Sequence, residues 1–478
     1  MNKFDITKYF FYRWRYWIGY GLIAAGLIGV LIFAGLFLPG GISAGEMQSV
    51  VKSNSINFSS LFNGSDITNL PYHLLQQASI AIFGVTILSI KIPSIILAFL
   101  SAVGMTLLLR RWFKPSIGVL ASLIAITTGQ FLFIAQDGTP GVLYLFWSVC
   151  LLLIANLISY RKENRSILII ALCAVTALSL YTPLSIYVVL AMVVSALVHP
   201  RLRYMIKRLP KLPFTISLIL FGLIIAPLCI ALIRSPNLWL TLMGIPNHFP
   251  DLGANLVSLG GQFFGFSKPR GVTSLTPFFD LGSMLIIGIG LFQVLKTRVT
   301  AKNYVIIIWI LCLIPAIVLN PTVTNITFIP LVLLLASGLS KLLGYWYNLF
   351  PRNPYARIGG LIPIVVLVSV LTFSGFSHFA NGYEYDPSVV DNFSKDLKIM
   401  PKDTKTLVVT SEEMAFYKVV STRNKTFKSV LSPVGDEKSF LVTNKANATF
   451  SGYEINRIIT SSLENNSNRF YLYTKTAN

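Results

Sequence analysis

Glu46 is the first residue of this chain whose type and position could support chemistry. It follows Ser43-Ala44-Gly45, where a long apolar segment gives way to a polar one. Ser43 can cap a short helix, and Glu46, three residues later, has the spacing of a capping box, in which glutamate accepts a hydrogen bond from the cap's backbone N–H. An ionised carboxylate can also accept a proton during catalysis. The sequence leaves both roles open, and the two can coexist.

A second carboxylate, Asp137, is predicted to lie at a turn between two apolar segments. A carboxylate so close to a membrane is a candidate functional group, although Asp-Gly is also a common turn pair. His73 and Gln76 lie on the polar face of a helix that Pro71 is expected to begin, and they are predicted to bind substrate. The opposite face of that helix is apolar, which is typical of helices that lie along a membrane surface or cover a cavity.

Three basic residues, Arg234, Lys268 and Arg270, can hold a lipid phosphate, because a guanidinium offers two parallel donors to phosphate oxygens. They could equally contact anionic lipid headgroups. No histidine has a partner at metal-ligand spacing. Asp251 is a lone candidate metal ligand, so no metal site is predicted and a divalent cation stays open as a cofactor.

The composition indicates a membrane protein. The chain has 478 residues, of which 54% are hydrophobic and 12% charged, against about 25% charged in soluble domains. The net charge of +21 does not indicate nucleic-acid binding, because only seven acidic residues lie among the first 376 and the basic excess falls between apolar segments. There it sets topology. The four cysteines lie in apolar runs and are expected to be packing residues.

The fold class predicted is an all-α polytopic membrane protein with a small C-terminal α/β domain. Eleven membrane spans are predicted at 17–38, 88–109, 116–134, 139–159, 165–180, 183–198, 213–233, 277–296, 303–319, 324–343 and 357–376. Alternate connections are rich in Lys and Arg, which puts the N-terminus in the cytoplasm and the C-terminus outside the plasma membrane. The outer loops 39–87 and 234–276 are long enough to enclose a site.

The predicted domains are therefore a membrane domain, 1–376, and an extracytoplasmic α/β domain, 377–478. In the second, strands are predicted at 406–410, 439–443 and 469–474. Helices are predicted from Asp386 to about Leu397, near 411–419 and near 452–462.

Three stretches resemble the polyprenyl-phosphate-dependent membrane glycosyltransferases of the GT-C fold, which include protein O-mannosyltransferases and lipid A aminoarabinose transferases. They are PGGISAGEMQSVVKSNS, LPYHLLQQASIAIFGVTILSIKIPSIILAFLSAVGMTLLLRRWF and FLFIAQDGTPGVLYLFW. The resemblance implies transfer of a sugar from a polyprenyl-phosphate donor to a glycan, lipid or protein acceptor at the outer membrane face. It also implies that an acid of the first outer loop acts as base and that basic residues hold the phosphate.

The sequence departs from that family at three motif positions. Gly45 stands where the family has the first acid of an Asp-Glu pair, Leu70 where a lysine often precedes the helix proline, and Gln136 where the third stretch has a basic residue. Glu46 and Asp137 remain as the expected catalytic pair. The alternative is a non-catalytic protein of the same fold that binds a carrier lipid or serves as an assembly subunit.

Overall fold

The computed structural model describes residues 10–38, 40–56, 67–160, 164–265, 275–297, 300–349, 355, 359, 361–386, 389, 392–401, 403–424, 427–433, 437–460 and 469–476. Its first part is helical. The helices are α1 (Phe10–Phe37), α2 (Ala44–Ser55), α3 (Leu70–Phe83), α4 (Ile87–Trp112), α5 (Pro115–Ile126), α6 (Gly129–Gln136), α7 (Val142–Tyr160), α8 (Arg165–Ser179), α9 (Ile186–Val198), α10 (Pro200–Lys207), α11 (Lys211–Arg234), α12 (Asn237–Met243), α13 (Leu252–Phe264), α14 (Leu281–Lys296), α15 (Ala301–Leu319), α16 (Phe328–Leu349, after a 3-10 turn at Pro321–Thr327) and α17 (Leu361–Tyr385).

Within the described residues, six helices are long and apolar enough to cross a membrane, and eight spans result if two bent helix pairs each count as one. The bent pairs are α5–α6, with a bend of 65°, and α9–α10, with a bend of 93°. Three shorter apolar helices lie at Ala24–Phe37, Arg165–Ser179 and Leu281–Lys296. The protein is thus a multi-pass membrane protein. The figure of eleven spans stays a prediction.

The bend between α5 and α6 sends a short helix into the protein interior. Thr128 begins α6, since its hydroxyl accepts a hydrogen bond from the backbone N–H of Phe131 at 3.3 Å. Every residue of α6 is buried. Because α6 ends at Gln136, the turn that begins with Asp137 lies at the C-terminal end of this buried helix.

Helix α3 exposes its apolar side chains and buries its polar ones, the reverse of a surface helix on a soluble protein. Its apolar side chains at Leu74, Leu75, Ile82 and Phe83 are exposed, whereas His73 and Gln76 are buried against the protein. This arrangement is expected of an amphipathic helix whose apolar face meets lipid. The apolar face predicted for α3 is therefore present, and the opposite, polar face packs against the protein.

The C-terminal part forms a mixed sheet. Its strands are β3 (Thr406–Val408), β4 (Lys428–Val430), β5 (Ser439–Thr443), β6 (Tyr453–Thr460) and β7 (Arg469–Lys475), in the order β4-β3-β5-β7-β6. The pairs β3–β4 and β3–β5 are parallel, and β5–β7 and β6–β7 are antiparallel. Helix α19 (Ser411–Asn424) joins β3 to β4, and a short helix, α18 (Asp396–Ile399), precedes β3. The strands near 406, 439 and 469 and the helix near 411 are confirmed.

Two helices predicted in this domain are wrong. The segment near 452–462 is strand β6, whose pairing with β7 shifts between Ile455 and Arg457. A bulge there breaks the alternation of a strand, so that Ile455, Ile458 and Ile459 acquire the spacing of a helix face. The helix predicted from 386 is also interrupted, because Phe393 enters a two-residue strand, β2 (Phe393–Ser394), and pairs with Ser43.

That pairing is part of a junction between the two domains. β2 pairs with β1 (Ile42–Ser43), immediately before α2. The Asn424 side chain accepts a hydrogen bond from the Val85 backbone N–H at 2.8 Å and donates one to the Val85 carbonyl at 3.0 Å. Apolar residues of both domains share one buried cluster, which includes Val50, Ile80 and Val420. The C-terminal domain thereby fixes the segment that begins with Ser43.

Candidate active site

Glu46 lies at the centre of a buried polar network. It completes the capping box predicted from sequence: Ser43 N donates to Glu46 Oε2 at 2.7 Å, and Glu46 N donates to Ser43 Oγ at 3.2 Å. The other oxygen, Oε1, accepts a hydrogen bond from the backbone N–H of Gly138 at 2.6 Å. The side chain has no exposed surface. Glu46 therefore links the start of α2 to the Asp137 turn.

Lys91 supplies the countercharge. Its ammonium nitrogen lies 3.4 Å from Glu46 Oε1, and both side chains are fully buried. The same nitrogen donates to Gln136 Oε1 at 2.6 Å. Lys91 is not among the site residues predicted from the sequence. Its signal was a single cation in the second turn of an apolar helix whose other basic residues, Arg110 and Arg111, lie at the far end. A charge at that position is costly unless it has a partner.

Gln76 holds the same turn from the other side. Its amide nitrogen donates to the carbonyls of Gly138, at 2.9 Å, and Ile90, at 3.2 Å. Its oxygen accepts from the hydroxyls of Ser49, at 2.8 Å, and Ser53, at 2.7 Å. All four hydrogen-bonding positions of this buried amide are thus used.

His73 extends the network between α2 and α3. Its Nδ1 lies 2.8 Å from Ser53 Oγ. Burial, helped by the nearby Lys52, lowers the pKa of His73 to about 3. The imidazole is consequently neutral at physiological pH and connects the two surface helices as an uncharged group.

These contacts fix the backbone that carries Asp137. The amide of Gly138 is bound to Glu46 and its carbonyl to Gln76. Position 138 has no room for a side chain, because a Cβ there would lie 2.7 Å from Ile90 Cγ2 and 3.0 Å from Glu46 Oε1. The close approach of Ile90 and Glu46 therefore requires glycine after Asp137.

Asp137 differs from Glu46 in exposure and in its partners. It is only partly buried, and Oδ2 accepts a hydrogen bond from Thr139 Oγ1 at 2.5 Å. Burial, followed by the negative charge of Glu46, raises the pKa of Asp137 to about 7. A carboxylate that titrates near neutral pH is suited to accept a proton and release it again.

The remaining predicted residues are placed away from this network or lie outside the described residues. Arg234 is exposed at the end of α11, next to Leu232 and Ile233, which line an apolar cavity of about 360 Å³. Lys268 and Arg270 fall outside the described residues. Asp251 caps α13 by accepting from the N–H groups of Gly253 and Ala254, so the structure gives the proposed metal ligand a capping role.

The two segments predicted as long outer loops, 39–87 and 234–276, are in contact. Ile67, from the first loop, packs in one buried cluster with Leu238 and Leu242 of α12. The backbone N–H of Asn69 donates to the Tyr181 carbonyl at 2.8 Å.

Over the part of the chain that the structure describes, no three His, Cys, Asp or Glu side chains converge as a metal site would require.

Comparison with known proteins gives one family match and several similar structures. Residues 71–228 match the family described as dolichyl-phosphate-mannose-protein mannosyltransferase. No curated protein has a matching sequence. The crystal structure of ArnT from Cupriavidus metallidurans bound to undecaprenyl phosphate has a TM-score of 0.55 and 11% identity, covering 95% of this chain and 98% of that one.

Two further structures are similar. ArnT from the same organism in the apo state has a TM-score of 0.51 and 10% identity, with the same coverage of both chains. The oligosaccharyltransferase AglB from Archaeoglobus fulgidus, in complex with an inhibitory peptide and a dolichol-phosphate, has a TM-score of 0.48 and 14% identity, covering 88% of this chain and 65% of that one. The family match over residues 71–228 and the fold shared with ArnT confirm that this chain resembles the polyprenyl-phosphate-dependent glycosyltransferases of the GT-C fold.

Proposed function

We propose that this protein transfers a sugar from a polyprenyl-phosphate donor to a cell-envelope acceptor at the outer face of the plasma membrane. In the step proposed, an acceptor hydroxyl attacks the anomeric carbon and gives its proton to the Asp137 carboxylate. The bond between the anomeric carbon and the phosphate oxygen breaks, and the polyprenyl phosphate leaves with the electron pair. Glycosyltransferase chemistry in general is supported by the family match and the fold.

The observation that carries this proposal is the way in which the Asp137 turn is held. Hydrogen bonds fix both sides of Gly138, while Asp137 as a residue stays partly exposed. A general base must lie within hydrogen-bond reach of the proton it accepts, and a fixed turn keeps it there. Glu46 is sealed from solvent by its own partners, so we assign it as a positioning residue for that turn.

The apolar cavity beside Arg234 suits the lipid part of the donor. Its lining comes from α9, α11 and α12 and includes Leu228, Leu232 and Trp239. Arg234 ends α11 directly after that lining, where a guanidinium could bind two phosphate oxygens. We propose that Arg234, with Lys268 and Arg270, binds the donor phosphate, and that an isoprenoid chain occupies the cavity.

The test is a transfer assay on the reconstituted protein. Purified protein in liposomes is supplied with radiolabelled polyprenyl-phosphate sugars, and release of polyprenyl phosphate and labelling of envelope acceptors are measured. Turnover of one donor supports the enzyme. If no donor of the set turns over while the protein binds polyprenyl phosphate tightly, the non-catalytic alternative replaces it.

Gly45 is the observation that favours the alternative, because it stands where the family has an acid. The structure has room for that acid: a Cβ at position 45 would make ordinary contacts, 3.5 Å from Thr139 Cγ2 and 3.8 Å from Ser43 Oγ. A carboxylate in the first turn of α2 would also interact favourably with the helix dipole. Position 45 is therefore close enough to Thr139 to influence the Asp137 turn.

We expect Gly45→Asp to fold and to raise the pKa of Asp137 further, because like charges disfavour ionisation. The acid limb of the pH–rate profile should move up by on the order of one pH unit. Gly45→Asn, which has the same shape without the charge, should leave the limb in place. If the pH–rate profile of the aspartate variant were unchanged, a charge at position 45 would not affect the carboxylate that accepts the proton.

We also propose the topology predicted from the basic loops: eleven spans, the N-terminus in the cytoplasm and the sheet domain outside. The eight candidate spans and the three shorter apolar helices support it. Ser439→Cys, at an exposed position of β5, should react with a membrane-impermeant maleimide in intact cells. Protection until the cells are lysed would reverse the assignment.

A further inference from the structure

A groove of about 510 Å³ lies where the C-terminal domain meets the membrane domain. We call it the junction groove. The end of α1 and the start of α4 form one wall, and α18, the following residues and the end of α19 form the other. Its apolar lining comes from both domains and includes Leu36, Phe37, Leu88, Leu397, Met400 and Phe427.

The groove lies at the level where membrane helices emerge. α1 ends at Phe37, and α4, one of the candidate spans, begins at Ile87. The rings of Phe33 and Phe37 stack with centroids 5.3 Å apart, and both remain largely exposed. They extend the apolar surface of the groove along α1, toward the depth that acyl chains occupy.

The rim of the junction groove is cationic. Lys398 lines it and is exposed, and Lys395 lies close by. Burial, with the charge of Lys398 as a second cause, lowers the pKa of Lys395. The carboxylate of the intervening Asp396 has its own partner, because its Oδ2 accepts a hydrogen bond from the Tyr417 hydroxyl at 2.9 Å. An anion at the rim could pair with the exposed ammonium of Lys398.

We propose that the junction groove binds an anionic phospholipid from the leaflet next to the C-terminal domain. One acyl chain lies between Phe37 and Phe427, and the headgroup phosphate pairs with Lys398. Such a lipid would contact both domains at once and would tie the sheet domain to the bilayer, beside the hydrogen bonds of Asn424. The inference is independent of the sugar-transfer proposal, because neither Asp137 nor Arg234 takes part.

The test uses fluorescence quenching by brominated lipids in liposomes that contain no polyprenyl phosphate. Phe427→Trp places an indole in the groove. Because the chain already has seven tryptophans, the quenching of wild-type protein by each lipid is subtracted. The additional quenching by brominated phosphatidylglycerol is then compared with that by brominated phosphatidylcholine at equal mole fraction. We expect the anionic lipid to be favoured about fivefold, the effect of one lysine near a bilayer surface. Adding Lys398→Gln should abolish the preference while leaving some quenching.

Leu100→Trp is the matched control, since Leu100 is an exposed residue of α4 remote from the rim. It should be quenched by both lipids without preference. An equal ratio at positions 427 and 100, or no quenching at position 427, would overturn the proposal. If Phe427→Trp does not fold, native mass spectrometry decides: wild-type protein should retain more phosphatidylglycerol than Lys398→Gln, and equal retention would refute the site.

Discussion

Asp137→Asn should lower the rate of sugar transfer by a factor of about 10²–10⁴, the usual effect of removing a general base. Asparagine has nearly the same size, and its oxygen can still accept the hydrogen bond from Thr139. The turn is held through the backbone of Gly138, so the substitution removes the proton acceptor and leaves its support in place. Initial rates with the reconstituted protein measure the effect.

The wild-type rate should also depend on pH. Because the pKa of Asp137 is raised to about 7 by burial and by Glu46, the carboxylate loses its base function as the pH falls below 7. We expect kcat/KM to decrease about tenfold per unit on the acid side of a midpoint near 7. The residual activity of Asp137→Asn should lack this limb.

Stability should change in the opposite direction from activity. The folded pKa of Asp137 is higher than the value of an unfolded chain, so protonation of Asp137 favours the folded state. This stabilisation is complete below the unfolded pKa and is lost as the pH rises toward 7. At neutral pH and above, Asp137→Asn should therefore unfold at a temperature no lower than wild type. A variant that is inactive because it unfolds would contradict the assignment, as would one that keeps wild-type activity.

The spans and loops were predictable because the signals that encode them are long. A run of about twenty apolar residues between basic connections has few interpretations, and each predicted span overlaps at least one apolar helix of the structure. The number that cross was harder to predict. The segment at 116–134 breaks at Thr127, and the buried α6 that results is too short to span by itself.

The candidate site was only partly predictable, because the face that a helix presents depends on its solvent. His73 and Gln76 were expected to bind substrate from the polar face of α3. In a membrane protein that face can turn inward, and here it packs against α2 and the Gly138 turn. Whether the two residues reach a substrate stays untested, whereas their hydrogen bonds indicate that they support the turn.

Long-range pairing explains the errors in the C-terminal domain. Phe393 joins a strand because it pairs with Ser43, 350 positions earlier. The local sequence pattern around Phe393 does not indicate this pairing. The bulge in β6 has the same character, since its isoleucine spacing is meaningful only beside β7. Both cases are tertiary contacts that override local periodicity.

Lys91→Met should destabilise the protein by about 3–5 kcal/mol, the cost of removing one partner from a buried ion pair. Methionine fills nearly the same volume, so the loss is chiefly electrostatic. Glu46 would be left as a buried carboxylate without its countercharge, and Gln136 would lose its donor at 2.6 Å. The midpoint of thermal unfolding in detergent measures the change, and transfer activity should fall as well, because the Asp137 turn loses part of its support.

Combining Lys91→Met with Glu46→Gln removes both charges and should recover a large part of this loss. Glutamine can accept a hydrogen bond from Ser43 or from Gly138 through its one oxygen, so recovery should be incomplete. The coupling between the two substitutions should be about 2–3 kcal/mol, at the upper end for residues in direct contact.

Lys302→Met is the matched control. Lys302 donates to the Trp112 carbonyl at 2.8 Å and lies 4.2 Å from the centre of the Phe113 ring, so its substitution strands no carboxylate. It should cost about 1.5–3 kcal/mol, as expected for a hydrogen bond from a charged donor, and its effect should add to that of Glu46→Gln without coupling. If Lys91→Met costs no more than Lys302→Met, the carboxylate of Glu46 does not depend on Lys91, and another group must hold the Asp137 turn in place.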